Sequence, residues 1–232
     1  MKIGAIVICR YNSSRLPGKI LKKINNKALL TYIIERLKCV QNLDEITVAT
    51  SEEASDQPII DHCIEHNIKY YRGSLENVAE RFLKCSIASN YDYAIRVNGD
   101  NLFLDPKVIS AMLSIIDSNN YDLISNVKDR TFPKGISVEI INVEFYNKLY
   151  QKLSDPIYQE HVTNYMYENL DCGNFYHYTN QIFPAAAGAQ LAIDTQSDFN
   201  TAAYIINSFE QDHTKYGFDE VFKRMKEYQR LQ

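Results

Sequence analysis

The sequence predicts an α/β domain in three layers, with helices on both faces of a mostly parallel sheet. Short β-branched runs alternate with amphipathic segments through the first half of the chain, which is the pattern of repeated strand–helix–strand units. These runs are apolar throughout, as expected for strands buried on both faces. With 232 residues, one domain can bury a substantial core. Ligands of such sheets bind where the strands end and the loops meet helix N-termini.

The first half contains four predicted strands and four predicted helices. The strands are residues 3–9, 45–50, 68–71 and 93–97. The helices are residues 28–40 and segments that begin near Pro58, near Val78 and at Pro106. In each helix, apolar residues recur three or four positions apart. Asp105 before Pro106 favours a helix start, because the carboxylate caps free N–H groups and proline lacks one.

The second half is less regular. Its predicted strands are residues 122–127, 136–142, 175–179 and 191–194. Its predicted helices are residues 143–153, 156–170, 197–209 and 218–231. Internal repeats, low-complexity tracts and linker-like stretches are absent from the sequence, so we expect one domain over residues 1–232.

Composition excludes several functional classes. The net charge is −4, whereas nucleic-acid-binding domains usually have a basic excess. No apolar run approaches the roughly 18 residues of a membrane span, and the N-terminal run meets Arg10 too early for a signal peptide. The five cysteines form no CxxC pair. We therefore expect a cytoplasmic protein with reduced cysteines that binds neither nucleic acid nor membrane.

The loop after the first strand is the most informative segment. Its ten residues include three cations and two adjacent hydroxyls: Arg10, Ser13, Ser14, Arg15 and Lys19. Small and turn-forming residues allow backbone N–H groups to face an anion, and arginine binds phosphate oxygens through two parallel hydrogen bonds. The segment predicts a phosphate-binding loop; the alternative is a solvated basic loop. It is neither a Walker loop nor a dinucleotide fingerprint, because GxxxxGK[ST] and GxGxxG are absent.

Two aspartates are candidate metal ligands. Asp100 lies in a Gly-Asp-Asn turn after the fourth strand, and Asp194 lies in an Ile-Asp-Thr segment late in the chain. Mg²⁺ in proteins takes one or two carboxylates together with phosphate oxygens and water. The alternatives are a turn-forming role for Asp100 and an N-cap role for Asp194 before a helix near Ser197.

Taken together, these motifs resemble the cytidylyltransferases of sugar activation, a group that includes the 3-deoxy-manno-octulosonate and acylneuraminate enzymes. The segments that carry the resemblance are AIVICRYNSSRLPGKIL, EITVAT, YRGSLENVAERF, IRVNGDNLFLDP and LAIDTQSDF. Within the group, the sequence is most similar to the branch of spore coat polysaccharide biosynthesis protein F. The branch's RGS-x-x-x-V-x-x-R, SN…P-x-G-x-x-V-E and EHVT stretches recur at residues 72–81, 125–139 and 160–163.

The resemblance implies a Rossmann-like, GT-A-like nucleotidyltransferase fold with a mixed central sheet. It implies a nucleotide-binding half at residues 1–120, and an acceptor-binding and possible dimerisation half at residues 121–232. The implied reaction is Mg²⁺-dependent transfer of CMP from CTP to an acidic sugar or related acceptor, with release of pyrophosphate, for surface polysaccharide or glycan synthesis. A homodimer is also implied.

Site residues follow from the matched motifs. The resemblance assigns triphosphate binding to Arg10, Ser13, Ser14, Arg15 and Lys19, and nucleotide contacts to Arg72 and Asn98. It makes Asp100 and Asp194 the metal ligands. Arg10, Arg15, Lys19 and Asp100 are the expected catalytic residues. The expected acceptor contacts are Arg81, Lys134, Ser137, Glu139 and His161.

The sequence departs from the family pattern at two places. Leu102 stands where a proline is frequent, and Ser137 where Asp is common in the branch, so the acceptor is not specified.

Two other functions remain open. The first is a glycosyltransferase that uses a nucleotide sugar, but such an enzyme usually has a second Asp in the metal turn, where this chain has Asn101. The second is a non-catalytic nucleotide-binding homologue, and the intact loop and both carboxylates argue against it.

Several remaining residues are expected to be structural. The four other histidines, His62, His66, His177 and His213, are predicted to pack or to lie on the surface. Cys9 and Cys85 are expected to behave as small hydrophobes. The tyrosines at 146, 150, 158, 165 and 167 predict ordinary packing, with a subunit interface as the alternative.

Overall fold

The computed structural model describes residues 1–116 and 120–232, and over these ranges the chain forms a sheet of seven strands. From one edge to the other, the strands are β5 (Lys69–Gly73), β4 (Glu45–Ser51), β1 (Ile3–Ile8), β6 (Tyr93–Asn98), β8 (Glu139–Asn142), β7 (Leu123–Ser125) and β9 (Phe175–His177). Only β8 among these seven runs against the others. A short antiparallel hairpin joins β2 (Lys23–Ile24) to β3 (Lys27–Ala28). The predicted mostly parallel, mixed α/β sheet is confirmed.

Helices cover both faces of the sheet. In chain order they are α1 (Leu29–Leu37), α2 (Gln57–Glu65), α3 (Val78–Ala88), α4 (Pro106–Leu113), α5 (Val143–Tyr150), α6 (Ile157–Glu160), α7 (Asn164–Glu168), α8 (Gln196–Asn207) and α9 (Phe218–Leu231). Alternate residues of β1 point to opposite sides. Ala5 and Val7 pack with α1, α4, α8 and α9, whereas Ile6 and Ile8 pack with α3 and α5. This alternation creates the three predicted layers.

The predicted helix starts in the first half are confirmed. Helix α4 begins at Pro106, and the Asp105 carboxylate accepts hydrogen bonds from the N–H groups of Lys107 and Val108. Helix α3 begins at Val78, and the Asn77 side chain accepts from the N–H of Glu80. Local capping chemistry therefore sets the starts of both helices. Strand β4 extends one residue further than predicted, to Ser51.

Two predictions for the second half are wrong. The helix expected over residues 156–170 is split into α6 and α7, because His161 is extended and the Tyr146 hydroxyl donates to the Val162 carbonyl. The strand expected over residues 191–194 does not form. Its backbone bonds go elsewhere, since the N–H of Leu191 donates to Lys134 and that of Ile193 donates to Asp100.

A buried arginine fixes the loop that follows β6. Arg36 of α1 is fully buried, and it donates to the carbonyls of Leu104, His213 and Tyr216. Asp105 accepts from the N–H of Phe218 at 2.8 Å, so the same loop also holds the start of α9. Removing the guanidinium would leave three carbonyls, two of them in buried hydrogen bonds, without their donor. Within the described residues, no helix combines the length and apolar character needed to cross a membrane.

The fold predicts different costs for two alanine substitutions. Gly135 has a φ of +93°, and a Cβ there would lie 2.5 Å from the backbone nitrogen of Ala192. Gly188 has a φ of +67° but open space around it. We expect Gly135→Ala to lower the free energy of unfolding by roughly 2–5 kcal/mol, from backbone strain plus overlap. Gly188→Ala should cost roughly 1–2 kcal/mol, from strain alone. Urea denaturation of both variants measures the difference, and equal losses would contradict the steric account.

Candidate active site

A polar pocket of about 290 Å³ opens where β1 and β6 end. It lies at the edge of the sheet where ligands bind in open α/β folds. The predicted site residues that line it are Arg10, Ser13, Ser14, Arg15, Lys19, Arg81, Asn98, Asp100, His161 and Asp194. The fold thus brings together most of the residues that the motifs indicated.

The basic loop after β1 is closed on itself. The N–H groups of Ser13 and Gly18 both donate to the Tyr11 carbonyl, at 3.0 and 2.8 Å. Gly18 has a φ of +67°, and a Cβ there would press on the Tyr11 ring. Leu16 anchors the loop in the core, while Arg10, Ser14 and Arg15 remain exposed. The loop is therefore held in shape while its cations and a hydroxyl stay available to an anion.

Asp56 supports this loop from beneath. Its buried carboxylate accepts from the Tyr11 N–H at 2.7 Å and from Thr50 and Ser51 at the end of β4. Burial alone would raise the pKa of Asp56, but the hydrogen bonds from Ser51, Tyr11 and Thr50 outweigh it and lower the pKa. Asp56 was not among the predicted site residues. The only signal that the sequence offers is its position as an acidic residue directly before α2.

Arg72 holds the same region and lies outside the pocket lining. Its guanidinium donates to the carbonyls of Ser51, Glu52 and Glu53, and to the Gln57 side chain. The structure therefore gives Arg72 a supporting position beside the loop after β4. Its nucleotide contact stays a prediction.

Lys19 connects the two candidate metal ligands. Its ammonium nitrogen lies 3.3 Å from Asp194 Oδ1 and 3.7 Å from Asp100 Oδ2, and it donates to the Ile193 carbonyl at 2.7 Å. Arg15 also contacts Asp194, at 2.9 Å. The backbone joins the two segments directly, because the Ile193 N–H donates to the Asp100 carbonyl at 3.1 Å. Two carboxylates from distant parts of the chain thus face one cavity.

Asp194 is not the cap of α8. Thr195 is the N-cap, and it exchanges hydrogen bonds with Asp198 in a capping box. This arrangement satisfies the helix end and leaves the Asp194 side chain to Lys19 and Arg15. The alternative N-cap role for Asp194 is therefore wrong. Asp100 does lie in a turn, and its neighbour Asn101 secures that turn by donating to the Ser137 carbonyl at 2.9 Å.

The pKa of Asp100 is raised. Burial is the largest cause, Asp194 adds like-charge repulsion, and Lys19 offsets them only in part. Any further positive charge that enters the pocket would favour the ionised form of such a carboxylate. Oxygen donors of this kind suit a hard divalent cation such as Mg²⁺. The donor chemistry of the two aspartates therefore fits the expected metal.

Arg81 forms part of the pocket wall from α3. It is only 2% exposed, and it donates to the Ser74 carbonyl at 2.8 Å. Within the described residues, its buried Nε has no hydrogen-bond partner. Burial lowers its pKa, while burial raises the pKa of the neighbouring Cys9 thiol. Cys9 is thus a neutral part of the wall, as the sequence predicts.

Three predicted acceptor contacts lie outside the pocket lining. Lys134 is exposed, and its backbone bonds to Ala189 and Leu191. Ser137 accepts a long hydrogen bond from Arg130, 3.4 Å. Glu139 is buried in an ion pair with Arg96. Their roles in acceptor binding stay predictions.

The Glu139 network supports the rim of the pocket. Burial would raise the pKa of Glu139, but Arg96 and hydrogen bonds from Tyr167 and Thr163 lower it. Tyr167 and Thr163 belong to the segment that also carries Glu160 and His161, and both of these exposed residues line the pocket. Glu160 was missed by the sequence analysis, although it directly precedes His161.

The tyrosine cluster of the second half is only partly internal. Tyr146 is buried against Phe82, Tyr167 bonds to Glu139, and Tyr158 packs edge-on against Tyr165. Packing accounts for Tyr146, and a subunit interface stays the alternative for the partly exposed tyrosines. The homodimer, the division at residue 120 and the single-domain assignment stay predictions, and residues 117–119 beside that division lie outside the described residues.

Comparison with known proteins identifies the family. The sequence model of the family described as cytidylyltransferase matches residues 4–225, which is nearly the whole chain. This protein therefore belongs to the cytidylyltransferase family, and it is a CTP-dependent nucleotidyltransferase.

Individual relatives agree with this assignment. The chain is 31% identical over 209 residues to the spore coat polysaccharide biosynthesis protein SpsF of Bacillus subtilis, covering 84% of this chain and 82% of that protein. It is 31% identical over 199 residues to an uncharacterised protein of Methanocaldococcus jannaschii, covering 86% and 81%. A solved cytidylyltransferase from Leptospira borgpetersenii superposes with a TM-score of 0.91 at 26% identity, covering 100% and 96% of the two chains. These matches confirm the fold, the family and the similarity to the SpsF branch.

A more distant structure shares the fold alone. A CMP:2-keto-3-deoxy-manno-octonic acid synthetase, solved in complex with CTP, superposes with a TM-score of 0.68 at 16% identity over 89% of this chain and 99% of that one.

Asp100 in the pocket and Asp56 beneath the basic loop should respond oppositely to pH. The folded-state pKa of Asp100 is raised. The free energy of unfolding of the wild type therefore falls as the pH rises from about 4, which is the unfolded-state pKa of Asp, through the folded-state pKa of Asp100. Asp100→Asn removes this loss, and in EDTA its stability relative to wild type should increase with pH over that window. Asp56 has a lowered pKa, so the stability it contributes is present above pH about 4 and is lost as pH falls further. Asp56→Asn should therefore be destabilised at neutral pH, by less at lower pH.

Thermal denaturation of both variants and wild type between pH 3 and 8 provides the measurement. Parallel pH profiles for the two variants would contradict the assigned electrostatics.

Proposed function

We propose that this enzyme transfers CMP from CTP to an acidic sugar or a related acceptor, releases pyrophosphate, and serves the synthesis of a cell-surface polysaccharide or glycan. Family membership supports the use of CTP. The similarity to the spore coat polysaccharide biosynthesis protein of Bacillus subtilis supports the polysaccharide context. A 3-deoxy-manno-octulosonate cytidylyltransferase of Chlamydia trachomatis is 33% identical over 141 residues, 58% of this chain and 53% of that enzyme, which supports an acidic sugar.

One observation carries the proposal: Lys19, the last residue of the basic loop, lies between Asp100 and Asp194. In-line attack on the α-phosphate needs little covalent chemistry from the protein, so positioning and charge neutralisation dominate. Arg10 and Arg15 are exposed on the loop and are suited to bind phosphate oxygens. Lys19 supplies a charge whose position is held by the Ile193 carbonyl.

Asp100 and Asp194 would hold the Mg²⁺ that the family resemblance implies. When bound, Mg²⁺ neutralises charge on the phosphate oxygens. The protein's own contribution is to bring both carboxylates to one cavity and to orient them. The Ile193–Asp100 backbone bond and the Thr195 cap provide that orientation.

Glu160 and His161 are proposed to face the acceptor. They enter the pocket from the second half of the chain, whereas the basic loop enters from the first half. Imidazole can accept a proton from an attacking hydroxyl near neutral pH. A carboxylate can accept hydrogen bonds from sugar hydroxyls.

The metal assignment predicts a loss of activity on removal of either aspartate. Asp100→Ala and Asp194→Ala should each reduce CTP-dependent pyrophosphate release by about a hundredfold or more, because charge at the reacting phosphates is no longer offset. A coupled pyrophosphate assay with a panel of sugar acids and sugar phosphates is the measurement. The control is Glu144→Gln, which removes an exposed carboxylate on α5 and should leave the rate unchanged. Full activity in either alanine variant would rule out the metal assignment.

Nucleotide choice is tested by thermal shift. CTP with Mg²⁺ should raise the melting temperature more than ATP, GTP or UTP, because stabilisation grows with the ratio of ligand concentration to Kd. Lys19→Ala should remove most of the CTP-dependent shift. Equal stabilisation by all four nucleotides, or stabilisation by a nucleotide sugar with turnover of that sugar, would argue against the proposed substrate.

A further inference from the structure

A second polar cavity lies on the outer side of α2 and shares no lining residue with the active-site pocket. Its volume is about 470 Å³. One wall comes from α2, and the others come from the β2–β3 hairpin and the first turn of α1. The α2 wall carries His62 and Glu65, and it is extended by His66, the C-cap residue directly after the helix.

These three side chains share one face of the helix and converge. Positions three and four apart along a helix are neighbours. Each of the three residues offers a ligand atom, and these atoms all lie within 4.8 Å of one another. The two imidazole rings stack with their centroids 4.0 Å apart. Such a spacing allows one cation to contact all three groups after small side-chain rotations.

Both imidazoles are oriented by a hydrogen bond through one ring nitrogen. His62 Nε2 lies 3.0 Å from the Thr31 hydroxyl of α1. His66 Nδ1 lies 2.9 Å from the His62 carbonyl. In the described part of the chain, the other ring nitrogen of each histidine makes no hydrogen bond, so it is available. Metal-ligating histidines typically have this arrangement, in which the second nitrogen fixes the orientation of the ring.

The local charges both favour and oppose a cation. Glu65 supplies a negative charge, and the cluster lies at the C-terminal end of α2, where the helix dipole favours positive charge. Lys23 and Lys27 line the facing wall. Lys27 is paired with Glu35 at 2.6 Å, so Lys23 is the main source of repulsion.

We propose that His62, Glu65 and His66 bind a divalent transition-metal cation of the Zn²⁺ type. Two imidazoles and one carboxylate are ligands that suit Zn²⁺, Co²⁺, Ni²⁺ and Cu²⁺, whereas Mg²⁺ prefers oxygen donors. Three protein ligands leave a coordination position open to water, unlike the closed four-ligand site typical of structural zinc. The assignment replaces the purely structural role that the sequence predicts for His62 and His66. It does not depend on the proposed cytidylyl transfer.

The test is a Zn²⁺ titration of the untagged full-length protein by calorimetry, in excess Mg²⁺ and with Cys39→Ser as background, since Cys39 is an exposed thiol. We expect one Zn²⁺ per chain. His66→Gln and Glu65→Gln should each weaken binding about tenfold or more. Both residues are exposed, so these variants should keep the fold. Lys23→Gln should tighten binding, because it removes the facing charge.

Two controls separate this site from others. The double variant Asp100→Asn, Asp194→Asn lacks the active-site carboxylates, and His177→Gln lacks a histidine on β9. Both should bind Zn²⁺ as the background protein does. Replacing Zn²⁺ with Co²⁺ should give visible absorption that disappears in His66→Gln. Absence of stoichiometric binding, or binding that His66→Gln and Glu65→Gln leave unchanged, would overturn the proposal.

Discussion

The contact of Lys19 with Asp100 and Asp194 is the interaction on which the active site depends. Two carboxylates brought to one cavity repel each other, and the raised pKa of Asp100 shows that burial and Asp194 disfavour its charge. A single ammonium group, held by the Ile193 carbonyl, offsets this repulsion in part. The remaining imbalance is what attracts further positive charge. The proposed metal-binding role and folding stability therefore place opposite demands on Asp100.

The geometry around this contact is maintained by residues that do not reach the pocket. Gly135 lets the backbone pass close to Leu191 and Ala192, directly before Asp194. Thr195 and Asp198 cap α8 and leave Asp194 uncommitted. On the other side, Asp56 and Arg72 hold the loops after β1 and β4. A substitution in this supporting layer would disturb the site without removing any group that lines the pocket.

The pocket wall that contains Glu160 and His161 depends on a different interaction, the buried Arg96–Glu139 ion pair. Removing one partner of such a pair is costly, because the other charge remains buried. Glu139 also accepts from Tyr167, at 2.6 Å, and so links the sheet to the segment of Glu160 and His161. The structure therefore places Glu139 as a support for the rim of the pocket. The two halves of the chain contribute separate walls to one site, which suits an enzyme that joins a nucleotide to a second substrate.

The sequence by itself determined the fold class, strands β1, β4, β5 and β6, the starts of α3 and α4, and the basic loop. Each of these rests on local information: hydrophobic periodicity, capping residues and the cluster of cations within ten positions. Family motifs extended this to Asp100 and Asp194, but only the tertiary structure decided that both contact Lys19 and that Thr195, not Asp194, caps α8. It also decided the support by Asp56, the burial of Glu139, and the absence of the strand predicted over residues 191–194. These features depend on contacts between segments far apart in the chain, where packing and the satisfaction of buried hydrogen bonds override local propensity.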